Sequence, residues 1–299
     1  MTAWTPGPGW LFCPADRPER YPKALAAADV VILDLEDAVA PENKESAREA
    51  LRGLVADGTF ETDRTVVRIS GVNDPEHAAD LALLQELAFP RVMLAKSETV
   101  DELRGLGEAA PETQVVVLVE SPLGVDNVSA LSAEPNVVAV MWGADDLVAG
   151  LGGTSSRKAD GTYRDVALHA RHRSLLGAKA AGRLALDAVH MDIPDLEGLA
   201  AECEDAVAIG FDATVAIHPK QVAVIRDSYS PAPSTADWAR RLLDHVGDDR
   251  GVTTFEGRMV DGPIYKQAER ILRLAEATGT GATGTAADST STTNARGER

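Results

Sequence analysis

VVILDLED, residues 30–37, sets four aliphatic side chains side by side and then closes on carboxylates. A strand with one face in water alternates apolar and polar residues. An unbroken run suits a strand covered on both faces, as in a parallel sheet flanked by helices. Seven further runs share this character: WLFCPA at 10–15, TVVRIS at 65–70, RVMLAKS at 91–97, QVVVLVES at 114–121, VVAVMWGADD at 137–146, LALDAVHMD at 184–192 and TVAIHP at 214–219. Between them lie stretches with helical spacing, rich in Ala, Leu, Arg and Glu and often punctuated by Gly or Pro. Examples are PERYPKALAAA, PENKESAREALRGLV, EHAADLALLQEL and ALHARHRSLLGAKAAG.

Eight strands alternating with helices predict an α/β fold of the TIM (β/α)8 barrel type. The rival, a doubly wound sheet, lacks a GxGxxG after the first strand. Residues 1–275 are read as one barrel domain, with a helical C-terminal extension from about 220 to 275 that carries FEGRMVDGPIY at 255–265. Residues 276–299, mostly Gly, Ala, Thr and Ser, cannot offset their ordering entropy and are expected to be disordered.

At 299 residues and 44% hydrophobic, the chain can bury a large core, yet no apolar run is long enough to cross a bilayer. The start, MTAWTPGPGW, has no basic segment leading into an apolar stretch, so no signal peptide is expected. Cys13 and Cys203 allow neither a disulfide framework nor a thiolate metal cluster and are read as packing residues. The expected compartment is the cytoplasm. With 29 Lys and Arg against 47 Asp and Glu, the net charge of −18 disfavours nucleic acid and anionic membranes as partners. An anionic small molecule would need its own local patch of Arg and Lys.

In a barrel of this type, functional groups project from the C-terminal ends of the strands and the loops after them. In chain order those ends carry Arg17, then Glu36 and Asp37, Arg68, Lys96, Glu120, Asp145 and Asp146, His190 and Asp192, and His218. Carboxylates able to hold a hard metal thus alternate with cations able to hold anionic groups. Glu120 and Asp146 end adjacent strands and could reach one point above the barrel. Two carboxylates with water and substrate oxygens suit Mg²⁺. The alternative is that they form salt bridges to Arg68 or Lys96. Spacing does not choose between Asp145 and Asp146.

LFCPADRPERYPKA, VVILDLEDAVAPENK, VVRI, VLVES, WGADDLVAGLG, LALDAVHMDI, AIHPKQ and FEGRMVD together resemble the HpcH/HpaI aldolase and citrate lyase β-subunit superfamily, in particular its citrate-lyase-β-like branch. That branch includes malyl-CoA and citramalyl-CoA lyases. The resemblance runs from about residue 8 to 275. It implies a Mg²⁺-dependent TIM barrel, usually trimeric or hexameric, that makes or breaks carbon–carbon bonds in acyl thioesters. Carried over by position, it makes Glu120 and Asp146 the metal ligands and Arg68 the arginine on the keto or hydroxy acid. It sets Phe12, Arg17 and Lys23 around coenzyme A, and brings Glu36 and Asp37 to the metal through water. Asp261 becomes an aspartate donated by a neighbouring subunit. VESPLG stands where many members have IETARG, so Ser121 and Pro122 alter the loop beside the metal.

The expected activity is retro-Claisen cleavage of a short β-hydroxyacyl-CoA, of citramalyl-CoA, malyl-CoA or 3-hydroxy-3-methylglutaryl-CoA type, to acetyl-CoA and a keto acid. The alternatives are a citrate lyase β subunit acting on a citryl carrier-protein thioester, and a non-catalytic barrel scaffold. His190 with Asp192 is expected to form a structural network and His218 to cap. Residues 154–157 are read either as a lid or as an ordinary glycine-rich loop.

Overall fold

The computed structural model describes residues 4–248 and 250–279. Two compact units divide the chain after Tyr229. In the first, eight parallel strands close into a barrel in sequence order. They are β1 (Gly9–Pro14), β2 (Val30–Asp34), β3 (Thr65–Ile69), β4 (Arg91–Leu94), β5 (Gln114–Val119), β6 (Val137–Trp142), β7 (Leu184–Asp187) and β8 (Ala213–Ala216). β1 pairs with both β2 and β8, which closes the ring and leaves no edge. The helices are α1 (Tyr21–Ala27), α2 (Lys44–Ala56), α3 (His77–Leu87), α4 (Val100–Ala109), α5 (Pro122–Ala133), α6 (Ala144–Gly150), α7 (Asp165–Ala180), α8 (Leu196–Ile209) and α9 (Pro219–Tyr229).

The unbroken apolar runs have the cause inferred for them. Trp10, Val30, Ile32, Val66, Met93, Val116, Leu118, Ala139, Met141, Leu186, Ala213 and Val215 come from all eight strands and pack into one buried cluster. Val31, Leu33, Val115 and Val117, on the opposite phase of the same strands, are also fully buried. Two hydrophobic phases per strand are what a ring of helices around a filled barrel requires.

Two boundaries differ from the sequence reading. The run 137–146 is not one strand: β6 stops at Trp142, Gly143 takes the N-cap, and Asp145 and Asp146 lie in the first turn of α6. Carboxylates there complement the positive end of the helix dipole. Residues 220–229, grouped with the extension, fall in the first unit as most of α9, which packs on β1 and β8.

The second unit holds α10 (Pro233–Val246), a hairpin of β9 (Thr253–Phe255) and β10 (Arg258–Val260), and α11 (Gly262–Ala277). Leu242, Val260 and Tyr265 lie in its own small core. Glu256 and Gly257 form the two-residue hairpin turn with φ of 47° and 76°, the left-handed pair such turns need. The segment expected to be disordered begins inside α11, since 276 and 277 are helical. From residue 280 on it lies outside the described residues.

Candidate active site

Side chains of a strand alternate faces, so residues in phase with the barrel core point inward. Phe12, Asp34, Arg68 and Glu120 continue the phase of Trp10, Ile32, Val66 and Leu118 at the carboxyl ends of β1, β2, β3 and β5. There they line a cavity of about 350 Å³ together with Trp142, Asp146 and Tyr163. A second cavity of about 460 Å³ has Glu36, Lys96, Glu120 and Asp146 in its wall.

Arg68 is fixed by pairing register. It lies opposite Asp34 in the β2–β3 ladder, and its Nε and Nη2 donate to the two oxygens of that buried carboxylate at 2.7 and 2.5 Å. Its Nη1 pairs with Glu36 at 2.9 Å, and its guanidinium lies 4.7 Å from the centre of the Phe12 ring. Burial pulls the Arg68 pKa down, but Asp34 and then Glu36 hold it above the ordinary arginine range. Asp34 also accepts from the backbone N–H groups of Glu36 and Ala38, at 2.9 and 3.0 Å. That turn ends β2, and Lys44 secures it by donating to the carbonyls of Leu35 and Glu36, both at 2.7 Å.

Lys96 follows β4 with φ of 50°, a left-handed conformation rare outside glycine. Its backbone N–H donates to Glu120 Oε1 at 3.0 Å. Its ammonium donates to Glu36 and stands 3.5 Å from Asp37, 4.0 Å from Glu120 and 3.9 Å from Asp146. Burial lowers the Lys96 pKa, but the Glu36 hydrogen bond and the nearby carboxylates raise it further.

Glu120 is buried, and a Cβ on Gly143 would come within 2.8 Å of its Cβ and Oε2, so glycine is required beside it. Burial pushes the Glu120 carboxyl up to about 8; Arg68 opposes the shift and Asp146 adds to it. A buried carboxylate beside a second carboxylate is costly until a cation neutralises the pair. Of the two aspartates on α6, Asp145 turns to Ser156, accepting from its hydroxyl at 2.7 Å, while Asp146 faces Lys96. Among the described residues no group of three His, Cys, Asp or Glu side chains is arranged to hold a metal. Glu120 and Asp146 fit a hard dication that takes its remaining ligands from water or substrate.

The other predicted positions divide. Glu36 and Asp37 join the cluster through Lys96. Arg17 and Lys23 are exposed, and neither lines the 350 Å³ cavity. Asp261 is the N-cap residue of α11 in the second unit, half-buried and making no side-chain capping bond. His190 binds Glu202 at 2.9 Å and lies 3.3 Å from Asp195, while Asp192 is exposed. His218 accepts from the Lys220 N–H at 3.2 Å, a cap at the start of α9. Burial pushes the thiols of Cys13 and Cys203 up to about 11 and about 12, as suits packing residues.

Sequence reasoning passed over Asp34, although a lone acid among aliphatic residues was the available signal. It gave no role to Tyr163, and read Arg157 only as part of the 154–157 loop. The Arg157 guanidinium lies over the Tyr163 ring at 4.0 Å and pairs with Glu202, and both residues line the cavity.

A family model described as HpcH/HpaI aldolase/citrate lyase matches residues 10–219. The citrate lyase subunit beta-like protein of Mycobacterium tuberculosis is 53% identical over 269 residues, covering 90% of this chain and 96% of that protein. The mitochondrial citramalyl-CoA lyase of Rattus norvegicus is 31% identical over 291 residues, covering 89% and 85%. A crystal structure of CitE from M. tuberculosis, in complex with magnesium, acetoacetate and coenzyme A, superposes with a TM-score of 0.81. It has 52% identity and covers 91% of this chain and 98% of that one.

Proposed function

The chain belongs to the HpcH/HpaI aldolase/citrate lyase family, and from that premise we propose that it is a Mg²⁺-dependent carbon–carbon lyase. Its substrate would be a short β-hydroxyacyl-CoA, and its products acetyl-CoA and a keto acid. The observation that carries the reading is that Glu120, Asp146 and Arg68 line one cavity at the carboxyl end of the barrel. The magnesium and coenzyme A in the M. tuberculosis crystal structure support the same cofactor and thioester here.

Glu120 and Asp146 would hold the metal, which when bound supplies Lewis acidity toward the hydroxyl and carboxylate oxygens of the substrate. Arg68 supplies fixed positive charge. Asp34 accepts from two of its five N–H donors and Glu36 forms an ion pair with Nη1, so the guanidinium retains donors for substrate oxygens. Because Asp34 already orients the guanidinium, little reorganisation accompanies charge development in the transition state. Phe12, whose ring centre lies 4.7 Å from that group, supplies an apolar neighbour to it in the cavity wall. Arg17 and Lys23 would meet the coenzyme A phosphates at the rim, and Asp261 of a neighbouring subunit would move the proton on the acyl fragment. The assembly would then be a homotrimer or hexamer, and its compartment the cytoplasm, where the buried Cys13 and Cys203 thiols stay reduced.

The test is acetyl-CoA release from citramalyl-CoA, malyl-CoA and 3-hydroxy-3-methylglutaryl-CoA, each with Mg²⁺ and with EDTA. Magnesium-dependent cleavage of at least one is expected. If none is cleaved, the CoA-lyase reading fails and a citryl carrier protein becomes the substrate to try.

A further inference from the structure

Four carboxylates from three parts of the barrel rim converge on one ammonium. Glu36 and Asp37 come from the turn after β2, Glu120 from the end of β5 and Asp146 from the first turn of α6. Lys96 lies within 4.0 Å of all four. Two of them are the residues that would hold the metal, so the ammonium and the dication draw on the same negative charge.

We propose that the Lys96 ammonium is the resident counter-cation of this acid cluster in the free protein, and that a divalent metal binds by displacing it. The inference rests on the metal reading given above and adds a competitor to it. An ammonium 4.0 Å from Glu120 and 3.9 Å from Asp146 opposes a dication there by direct repulsion and by neutralising the charge that would hold it. The backbone permits the exchange. The left-handed Lys96 keeps its own N–H on Glu120 Oε1 at 3.0 Å, so the carboxylate stays oriented whichever way the long side chain goes. The lysine also has somewhere to go. The 460 Å³ cavity beside it is lined by Asp74 and Glu98, two carboxylates that take no part in the cluster. Lys96 thus keeps the cluster compatible with the folded state before metal arrives, at the expense of metal affinity.

The test measures Mn²⁺ binding by electron paramagnetic resonance on the full chain without substrate. Lys96→Met and Lys96→Gln should each bind at least about tenfold more tightly than the wild type. Lys96→Arg should remain close to the wild type. In EDTA the two neutral variants should melt at lower temperature than the wild type, and Mg²⁺ should raise their melting temperature by more. A second measurement needs no substitution. In the wild type, Mg²⁺ should increase acylation of Lys96 by an N-hydroxysuccinimide ester, read by peptide mass spectrometry, because the ammonium leaves its carboxylates. Unchanged or weaker Mn²⁺ binding in the neutral variants, or Lys96 acylation insensitive to Mg²⁺, would overturn the proposal. Glu120→Gln separates the two readings. If Mn²⁺ binding survives that change undiminished, the metal site itself is misplaced and the competition falls with it.

Discussion

Asp34 is wholly buried, and each of its oxygens is shared between Arg68 and a backbone N–H of the turn after β2. It therefore orients the guanidinium that faces the cavity and also ends its own strand. A buried ion pair adds little net stability when intact, but removing one partner strands the other in a low-dielectric site. Asp34→Asn keeps the side-chain volume and removes the charge. It is expected to lower stability by about 3 kcal/mol or more, read as a shift of the urea midpoint at unchanged slope. A loss within the surface range of about 0.5 kcal/mol would mean that the pair is solvated and that Arg68 is held by something else. This pairing could have been read from the sequence, because an acid at the end of a buried run must find a cation. What could not be read is the φ of 50° at Lys96, the residue whose ammonium sits in the acid cluster.

At the scale of elements, the strands were legible because each run is apolar on both phases. Helices α2 and α7 were legible because their Ala, Leu and charged residues lie between clear breakers. α6 was hidden: GADD follows β6 without a polar gap, and a seven-residue helix has too few turns to show a period. The loop after α6 depends on tertiary partners for the same reason. Arg157 from that loop meets Glu202 of α8, and Glu202 also accepts from His190 in the loop after β7. The hydrogen bond to Glu202 raises the His190 pKa above its ordinary value, with burial opposing. A histidine whose folded pKa lies above the unfolded one stabilises fully below the unfolded value, about 6.5, and loses that contribution as pH rises through the folded value. His190→Gln retains a neutral donor. The melting-temperature gap between wild type and variant should therefore be largest below about pH 6 and should close as pH rises above about 6.5. A gap that is flat with pH would show that folding leaves the His190 pKa unchanged, and one that shrinks as pH falls would show that the folded protein keeps it neutral.

For the molecule as a whole, the acidic balance read from composition is compatible with an anionic thioester only if cations gather where it binds. Arg68 and Lys96 are gathered, though among carboxylates, while Arg17 and Lys23 stand exposed outside the cavity. Asp261 raises the question of how many chains one site needs. It lies in the second unit, at the turn between β10 and α11, and its carboxylate makes no capping bond there. If it serves the barrel of a neighbouring subunit, Asp261→Ala should bind magnesium normally and turn over poorly, and so should differ from Glu120→Gln, which should lose the metal. Each variant then retains what the other lacks. In a closed ring every interface repeats, so subunits mixed at random in equal amounts place an intact Asp261 against an intact Glu120 in roughly a quarter of the sites. Co-refolding the two inactive variants should therefore restore roughly a quarter of wild-type activity, whereas mixing them without subunit exchange should restore none. If Asp261 acted within its own chain, each chain would remain broken at one residue and co-refolding would restore nothing. Recovery can come only from a site built across two subunits, and it would fix the oligomer as the catalytic unit.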